Sequence, residues 1–291
     1  MANISNIKVI SIIGWNLLII SFISLFLYFY SFFNNSTSLD NKYTFGKQIK
    51  RILQVRTSPQ ITKEKIELYL DMQHKNGKQI NITDKFGFNF HTTDLSGLQL
   101  QFANIRGANL HNATLDLSNL YSADISGADI TNTSIRGSSL QNAILAKATL
   151  NNTNISLSDL RNCHLADSEI TNSNLQGSDL TGADLSGVTM KNVDLSNTNL
   201  TDAKLDGAVL QNVILTSAIL KNTSFYNTTI INSKIQNLKF LKSKLIDSKL
   251  YYNQINNTEF EGSDLRGAHF KKNKSANIKY TKTKLHYAQF N

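Results

Sequence analysis

From Phe90 to Phe270 every fifth residue is Leu, Ile, Met or Phe, 37 positions without an exception. A helix brings a side chain back to the same face every 3.6 residues and a strand every 2, so neither explains the spacing. In the stretch LQGSDLTGADLSG the leucines stand at 175, 180 and 185, which asks for a chain that turns a corner once per five residues. Ser275 is the first interruption, after which Tyr280, Leu285 and Phe290 resume the phase. Repeats of this kind decide the architecture before any local propensity does.

The other phases are filtered as well. Two residues before the apolar centre the chain places small side chains, among them Ala103, Ala108, Ser118, Ala123, Cys163, Ser168 and Ala183. The residue just before the centre is often Asp or Asn, and two residues after it Gly or Asn is common, both of which tolerate the positive φ of a type II turn. Each unit therefore reads as a short side with one large and one small residue facing in, followed by a corner. Asn112, Asn132, Asn152, Asn172, Asn192, Asn212 and Asn232 recur at intervals of 20, so four sides close one coil and stacked asparagine amides can bond along a ladder. At a strand spacing of about 4.8 Å, about ten coils make a rod on the order of 45 to 50 Å long. Residues 85 to 291 contain no proline, which would delete a ladder donor.

Units such as Ala123-Asp124-Ile125-Ser126-Gly127 and Ala183-Asp184-Leu185-Ser186-Gly187 resemble the A(D/N)LXX repeat of pentapeptide-repeat proteins, over about residues 90 to 270. The resemblance implies an all-β solenoid, a right-handed quadrilateral β-helix. Handedness comes from the resemblance and not from the spacing. It further implies that some relatives imitate duplex DNA and act on DNA gyrase.

The N-terminal material differs. Val9 to Phe33 contain no Asp, Glu, Lys or Arg, and at about 1.5 Å per residue they reach across a hydrocarbon core of about 30 Å. A transmembrane helix is expected over 9–33, with Trp15, Tyr28 and Tyr30 at the interfacial belts. A cleaved signal peptide is the rival, but the apolar run is long and no small-x-small site follows it. Residues 1–8 form the flank, 34–84 a linker and 85–291 the solenoid. Lys42, Lys47, Lys50, Arg51 and Arg56 follow the apolar run against Asp40, which favours a cytoplasmic solenoid. Within the linker, Tyr43 to Val55 read as a basic amphipathic helix or an ordinary solvated one. Ser58-Pro59 start a second helix whose face of Ile61, Leu68, Tyr69 and Met72 caps the first coil. The C-terminus shows no equivalent cap; its last coil either stands bare or is covered by a partner.

Charge is polarised along the rod. Residues 85 to 203 carry six Lys or Arg against eleven Asp or Glu, whereas 204 to 291 carry fourteen against five. Lys234, Lys239, Lys244 and Lys249 share one phase in four consecutive units and should ring one coil, either as a solvated belt or as an anionic-ligand site. Near them outward phases turn apolar: Val209, Ile214 and Ile219 before the centre, then Tyr226, Ile231, Leu241, Ile246 and Tyr251 after it. Tyr226 should stack over Ile246 and Ile231 over Tyr251, a cluster that marks a protein contact or self-association through the C-terminal coils.

No pattern of catalysis is present. The six histidines are scattered, and HExxH, GxSxG, P-loop and CxxC arrangements are absent. His164 and Asp184 fall 20 apart and can pair on the surface, without a nucleophile beside them. Cys163, alone, excludes an intramolecular disulfide and reads as a small buried group. No catalytic residue, cofactor, metal or small-molecule substrate is expected. The favoured reading is a non-enzymatic, membrane-tethered scaffold for protein partners. The alternatives are a gyrase-directed DNA mimic, which needs a more uniformly acidic rod, and nucleic-acid or anionic-ligand binding by the basic end, which predicts steep salt dependence.

Overall fold

Closing a square coil from L-residues demands a left-handed residue at every corner, and the chain supplies one. In the computed structural model, which describes residues 61–76 and 80–291, the residue two after the apolar centre has positive φ at successive corners: 67° at Gly97, 58° at Asn112, 55° at Asn132 and 65° at Gly127. At many corners the next N–H donates back to the carbonyl of the centre, as from Ala103 to Leu100 (3.0 Å) and from Ala183 to Leu180 (2.9 Å). The Asp or Asn before each centre has a local task too. Its side chain accepts the N–H two residues on, at 3.1 Å from Ser126 to Asp124, 3.0 Å from Thr181 to Asp179 and 2.9 Å from Gln176 to Asn174. Such short acceptors satisfy their own backbone in this way.

One lap takes twenty residues. The N–H of Leu100 donates to the Asn119 carbonyl (2.7 Å) and the N–H of Asn119 to the Leu98 carbonyl (2.9 Å), and the same offsets repeat up the rod. Where the bonds are regular enough they form strands: β1 (Thr149–Asn151), β2 (Glu169–Thr171), β3 (Thr189–Lys191), β4 (Val209–Gln211), β5 (Ile219–Lys221), β6 (Thr229–Ile231), β7 (Lys234–Leu241), β8 (Lys249–Tyr251), β9 (Gln254–Glu261), β10 (His269–Lys271), β11 (Lys274–Thr281) and β12 (Gln289–Phe290). One face is an eight-stranded parallel sheet ordered β1-β2-β3-β4-β6-β8-β10-β12, and another a four-stranded sheet ordered β11-β9-β7-β5. Isolated parallel bridges such as Asp124↔Ile144 and Asp184↔Lys204 hold another face in the same register. The architecture is an all-β solenoid, as the five-residue period predicts.

The interior is filled by the centres. Leu100, Leu120, Leu140, Leu160, Leu180 and their counterparts on the other sides are buried, each stabilising the fold by about 1.5–3 kcal/mol. Toward the C-terminal end the column becomes aromatic, with Phe240 stacked on Phe260 at 4.7 Å and Phe260 on Tyr280 at 5.3 Å. The small positions do more than leave room. At several corners that lack their own turn bond a buried hydroxyl replaces it: Ser158 Oγ donates to the Ile135 carbonyl (2.8 Å) and accepts from the Ser138 N–H (3.2 Å). Ser138 and Ser178 repeat the donation on the coils before and after. Asn253, fully buried, does the same through its amide, donating to the Ile230 carbonyl at 2.9 Å and accepting from the Ser233 N–H at 2.8 Å.

The start of the rod is covered by α1 (Lys63–Asn76). Its inward face is Ile66 and Leu70, one helical turn apart and buried, with Ile61 and Tyr69 packed beside them. Met72, expected on that face, is exposed, because the helix meets the coil through the i, i+4 pair and turns Met72 away. Lys63 Nζ donates to Ser96 Oγ (3.2 Å) and stands 3.8 Å from Asp94. A second short helix, α2 (Ile82–Phe86), follows, and the ladder begins just before it, where the Asn104 N–H donates to the Ile80 carbonyl (2.8 Å). In the last coil the centres Tyr280, Leu285 and Phe290 are exposed. Among the described residues no helix is long and apolar enough to cross a membrane. The expected span over 9–33, the amphipathic segment 43–55 and Ser58-Pro59 lie outside the described residues.

The hydroxyl bonds make a prediction. Ser158→Ala leaves the Ile135 carbonyl and the Ser138 N–H unpaired in the core and should lower unfolding free energy by about 1–3 kcal/mol. Ser126→Ala, at a surface turn, should change it by about 0.5 kcal/mol or less. Urea melts of the two variants check this; equal losses would show that the buried hydroxyls are not closing the coil.

Candidate interaction surfaces

The outward apolar residues sort into columns because the lap is twenty residues. Ile231 pairs in register with Tyr251 across β6 and β8. Tyr226 lies one coil from Ile246, the N–H of Asn227 donating to the Ile246 carbonyl at 2.9 Å. These two columns occupy adjoining faces, separated by Asn227 and Thr229 on one coil and by Asp247 and Lys249 on the next, and Tyr226 is their most exposed member. Val209 also lies on the β4–β6 sheet, beneath Thr229. Leu241 lies on a third face, the side just before that of Ile246. It sits in β7 between Lys221 and Glu261, on the far side of the Tyr226 face, with Ile219 near it. Together with Leu238, Lys239, Glu259 and Lys279 these two line an open groove of about 690 Å³.

The four lysines do ring one coil. Lys234 and Lys239 lie in β7 on either side of the Asn237 corner, Lys249 lies in β8, and Lys244 pairs with Ser224 and Asp264. All four are exposed, one per side, so they cannot converge on a single small anion. Moreover the next coil answers them with acids. Glu259 lies in register with Lys239 and Asp264 with Lys244, and beyond those acids come Lys279 and Lys284. Lys239 bonds to Glu261, which lowers the Glu261 pKa and raises that of Lys239, and its ammonium is 3.5 Å from Glu259. Two acids on the coil between, with Gln254 and His269 at the other two positions, neutralise part of the first ring.

His164 and Asp184 are ladder neighbours. Burial raises the Asp184 pKa, but hydrogen bonds from the Ser186 hydroxyl (2.6 Å) and N–H (3.0 Å), with Lys204 and His164 nearby, outweigh it and leave the group lowered. The carboxylate is thus spent on its own turn. Cys163 is buried and its thiol pushed well up by desolvation, which suppresses the thiolate. Among the described residues no three His, Cys, Asp or Glu side chains gather as a metal site.

Exposed apolar and aromatic residues at corner positions, where Gly or Asn is the rule, were missed by the spacing argument, Tyr252 and Tyr287 among them. Leu117 (74% exposed), Leu157 (58%) and Phe102 (62%) have φ of 57°, 60° and 61°. A left-handed residue with a bulky side chain costs about 1–2 kcal/mol. Leu117 and Leu157 alternate with Gly137 and Gly177 on one edge, and each covers the glycine above it: a Cβ on Gly177 would stand 2.9 Å from Leu157 Cδ2. Phe102 packs edge-on against Tyr121 at 5.5 Å. The departure from Gly or Asn was itself the available signal. A second asparagine ladder was also overlooked, Asn277 to Asn257 to Asn237 at 2.8 and 2.9 Å. The recognised column is bonded from Asn212 through Asn192 to Asn172 and again from Asn152 to Asn132, but Asn172 itself turns to Asn151.

Two sequence profiles of the repeat match the chain: "Pentapeptide repeat region" over residues 131–200 and "Pentapeptide repeats (8 copies)" over 87–112, 93–132 and 194–237. The chain belongs to the pentapeptide-repeat family. Among solved structures it is similar to HetL, a pentapeptide-repeat protein involved in heterocyst differentiation regulation from the cyanobacterium Nostoc sp. strain PCC 7120, at 20% identity over 76% of this chain and 92% of that one, with a TM-score of 0.42. It is similar to full-length QnrB1, a plasmid-mediated fluoroquinolone resistance protein, at 13% identity over 66% and 93%, TM-score 0.37. It also resembles Rfr23 from the cyanobacterium Cyanothece 51142 at 24% identity over 43% and 93%, TM-score 0.23. No curated protein matches the chain.

Two predictions follow from this geometry. Leu157→Asn should raise stability by about 1 kcal/mol, since Asn adopts the left-handed corner more readily; a loss in a denaturant melt would show the leucine to be stabilising where it stands. Hydrogen bonds from Ser96, Arg161 and Arg266 hold Asp94, Asp159 and Asp264 below the ordinary carboxylate value of 3.8. Their folded pKa is depressed, so the stability they contribute is present above that value and lost as pH falls through the lower folded one. Asp264→Asn should therefore flatten the acid limb of a melting-temperature profile; an unchanged limb would refute the assignment.

Proposed function

We propose that this pentapeptide-repeat chain is a non-enzymatic scaffold, tethered to a membrane by residues 9–33, whose solenoid stands on the cytoplasmic side and presents its faces to protein partners. The observation that carries the reading is the pair of apolar columns, Tyr226 over Ile246 and Ile231 over Tyr251, on adjoining faces. Outward apolar residues stacked coil over coil mark a contact surface. Leu117 and Leu157 add support, because exposed leucines at a strained corner cost stability without filling the core. Self-association through the C-terminal coils is one form the contact takes. The tether rests on the uncharged run from Val9 to Phe33, and the orientation on the lysines and arginines that follow it.

The gyrase-directed reading is less well supported by the charge. Imitating a duplex calls for acidic residues along the whole rod, whereas here fourteen Lys or Arg face five Asp or Glu beyond residue 203.

Ile231→Glu with Ile246→Glu should abolish self-association and partner capture from membranes while leaving the melting temperature within a few degrees, since both side chains point outward. Unchanged capture and oligomeric state would sink the contact surface. Inhibition or protection of gyrase in a supercoiling assay would replace the scaffold with the mimic. Protection of the repeat domain from protease in sealed inside-out vesicles would overturn the orientation.

A further inference from the structure

Residues 271 to 291 contain six lysines and neither Asp nor Glu. The lysines do not lie along one face. Lys274 and Lys279 flank the Asn277 corner in β11, Lys284 pairs with Asp264 on the next side, Lys271 ends β10, and Lys272 and Lys282 occupy corners at φ of 54° and 52°. They make a belt around the rod at one level, and all are exposed. Only part of this charge is met from the coil before: Lys284 is 3.9 Å from Asp264, which already holds Arg266 at 2.8 Å.

Inside the belt the surface is apolar. Tyr280 and Phe290 continue the interior stacks, Tyr280 on Phe260 at 5.3 Å and Phe290 on Phe270 at 4.9 Å, yet both are exposed. With Ile255, Phe260, Phe270 and Ile278 they line an open recess of about 410 Å³. Tyr287 is 78% exposed at its corner, and Lys272 lies 5.5 Å from the centre of the Tyr252 ring.

We propose that this coil is a docking surface for an anionic lipid bilayer. The surface lies across the rod axis, and a belt of cations around an apolar, aromatic centre complements a plane. Lysine stems can lie along apolar surface while their ammonium groups reach phosphates, and tyrosines favour the headgroup level. Each lysine near such a surface contributes on the order of a fivefold gain in binding. A nucleic-acid strand needs cations lined up along a groove that follows its backbone, whereas here neighbouring lysines face different sides. The proposal rests on neither the membrane tether nor the protein contact.

The test uses the full chain carrying an environment-sensitive dye at Asn291→Cys, Cys163 being buried and out of reach of the label. It is reconstituted in phosphatidylcholine vesicles with or without phosphatidylserine. The basic stretch that follows residue 33 also senses headgroup charge, but the dye sits on the terminal coil and reads that coil alone. A blue shift confined to the phosphatidylserine vesicles, and lost when salt shortens the screening length from about 10 Å to about 3 Å, is the expected result. Lys272→Gln, Lys279→Gln and Lys282→Gln together should weaken the contact about a hundredfold; the salt arm, which needs no variant, keeps the test independent of their folding. Equal spectra in both vesicles would overturn the proposal, as would an equal shift produced by RNA without lipid.

Discussion

The structure depends on one backbone constraint: a left-handed residue at each corner, five residues after the last. That residue is what lets short extended sides meet at right angles, and once four corners add up to twenty residues, most N–H groups of the sides find a carbonyl one coil away. Gly and Asn meet the constraint at little cost. Where Leu117, Leu157 or Phe102 meets it instead, the fold holds because bonds from the neighbouring coils leave the corner no alternative, and the side chain is left pointing outward.

Dryness inside follows from the same geometry. A narrow tube with one large and one small residue per side leaves little space for water, which favours a protein partner for a backbone group that misses its turn bond. Buried serines and threonines supply it, and Asn253 shows that a larger amide fits where the neighbouring coils make room. The aromatic column near the C-terminal end fills the same volume with fewer, larger groups.

Surfaces on such a rod are free of the core. A residue facing out contacts mainly the residues twenty before and twenty after, so charge and apolarity can vary coil by coil without disturbing the fold. The alternation of Lys239, Glu259 and Lys279 shows what this permits. Attraction between neighbours in one column quiets the belt in the middle, while residues 271 to 291 hold six lysines and no acid of their own. Function, on this architecture, is written in columns.

The solenoid was legible in the amino-acid order because its period is a property of single residues: Leu180 must face in, Gly182 must turn, and no distant contact alters either. The four-sided lap was legible through Asn112 and its successors, and the covering helix through its apolar face, although that face is centred on Ile66 and Leu70 and not on Met72. What the order alone could not decide is which outward residues share a surface. Leu241 is ten residues from Ile231 and belongs to another side, whereas Tyr251 is twenty away and touches it. Whether Ser158 merely fits or closes a coil likewise depends on a carbonyl 23 residues distant. Inward positions obey local sterics and can be read one at a time; neighbourhood between coils exists only after the winding has brought them together.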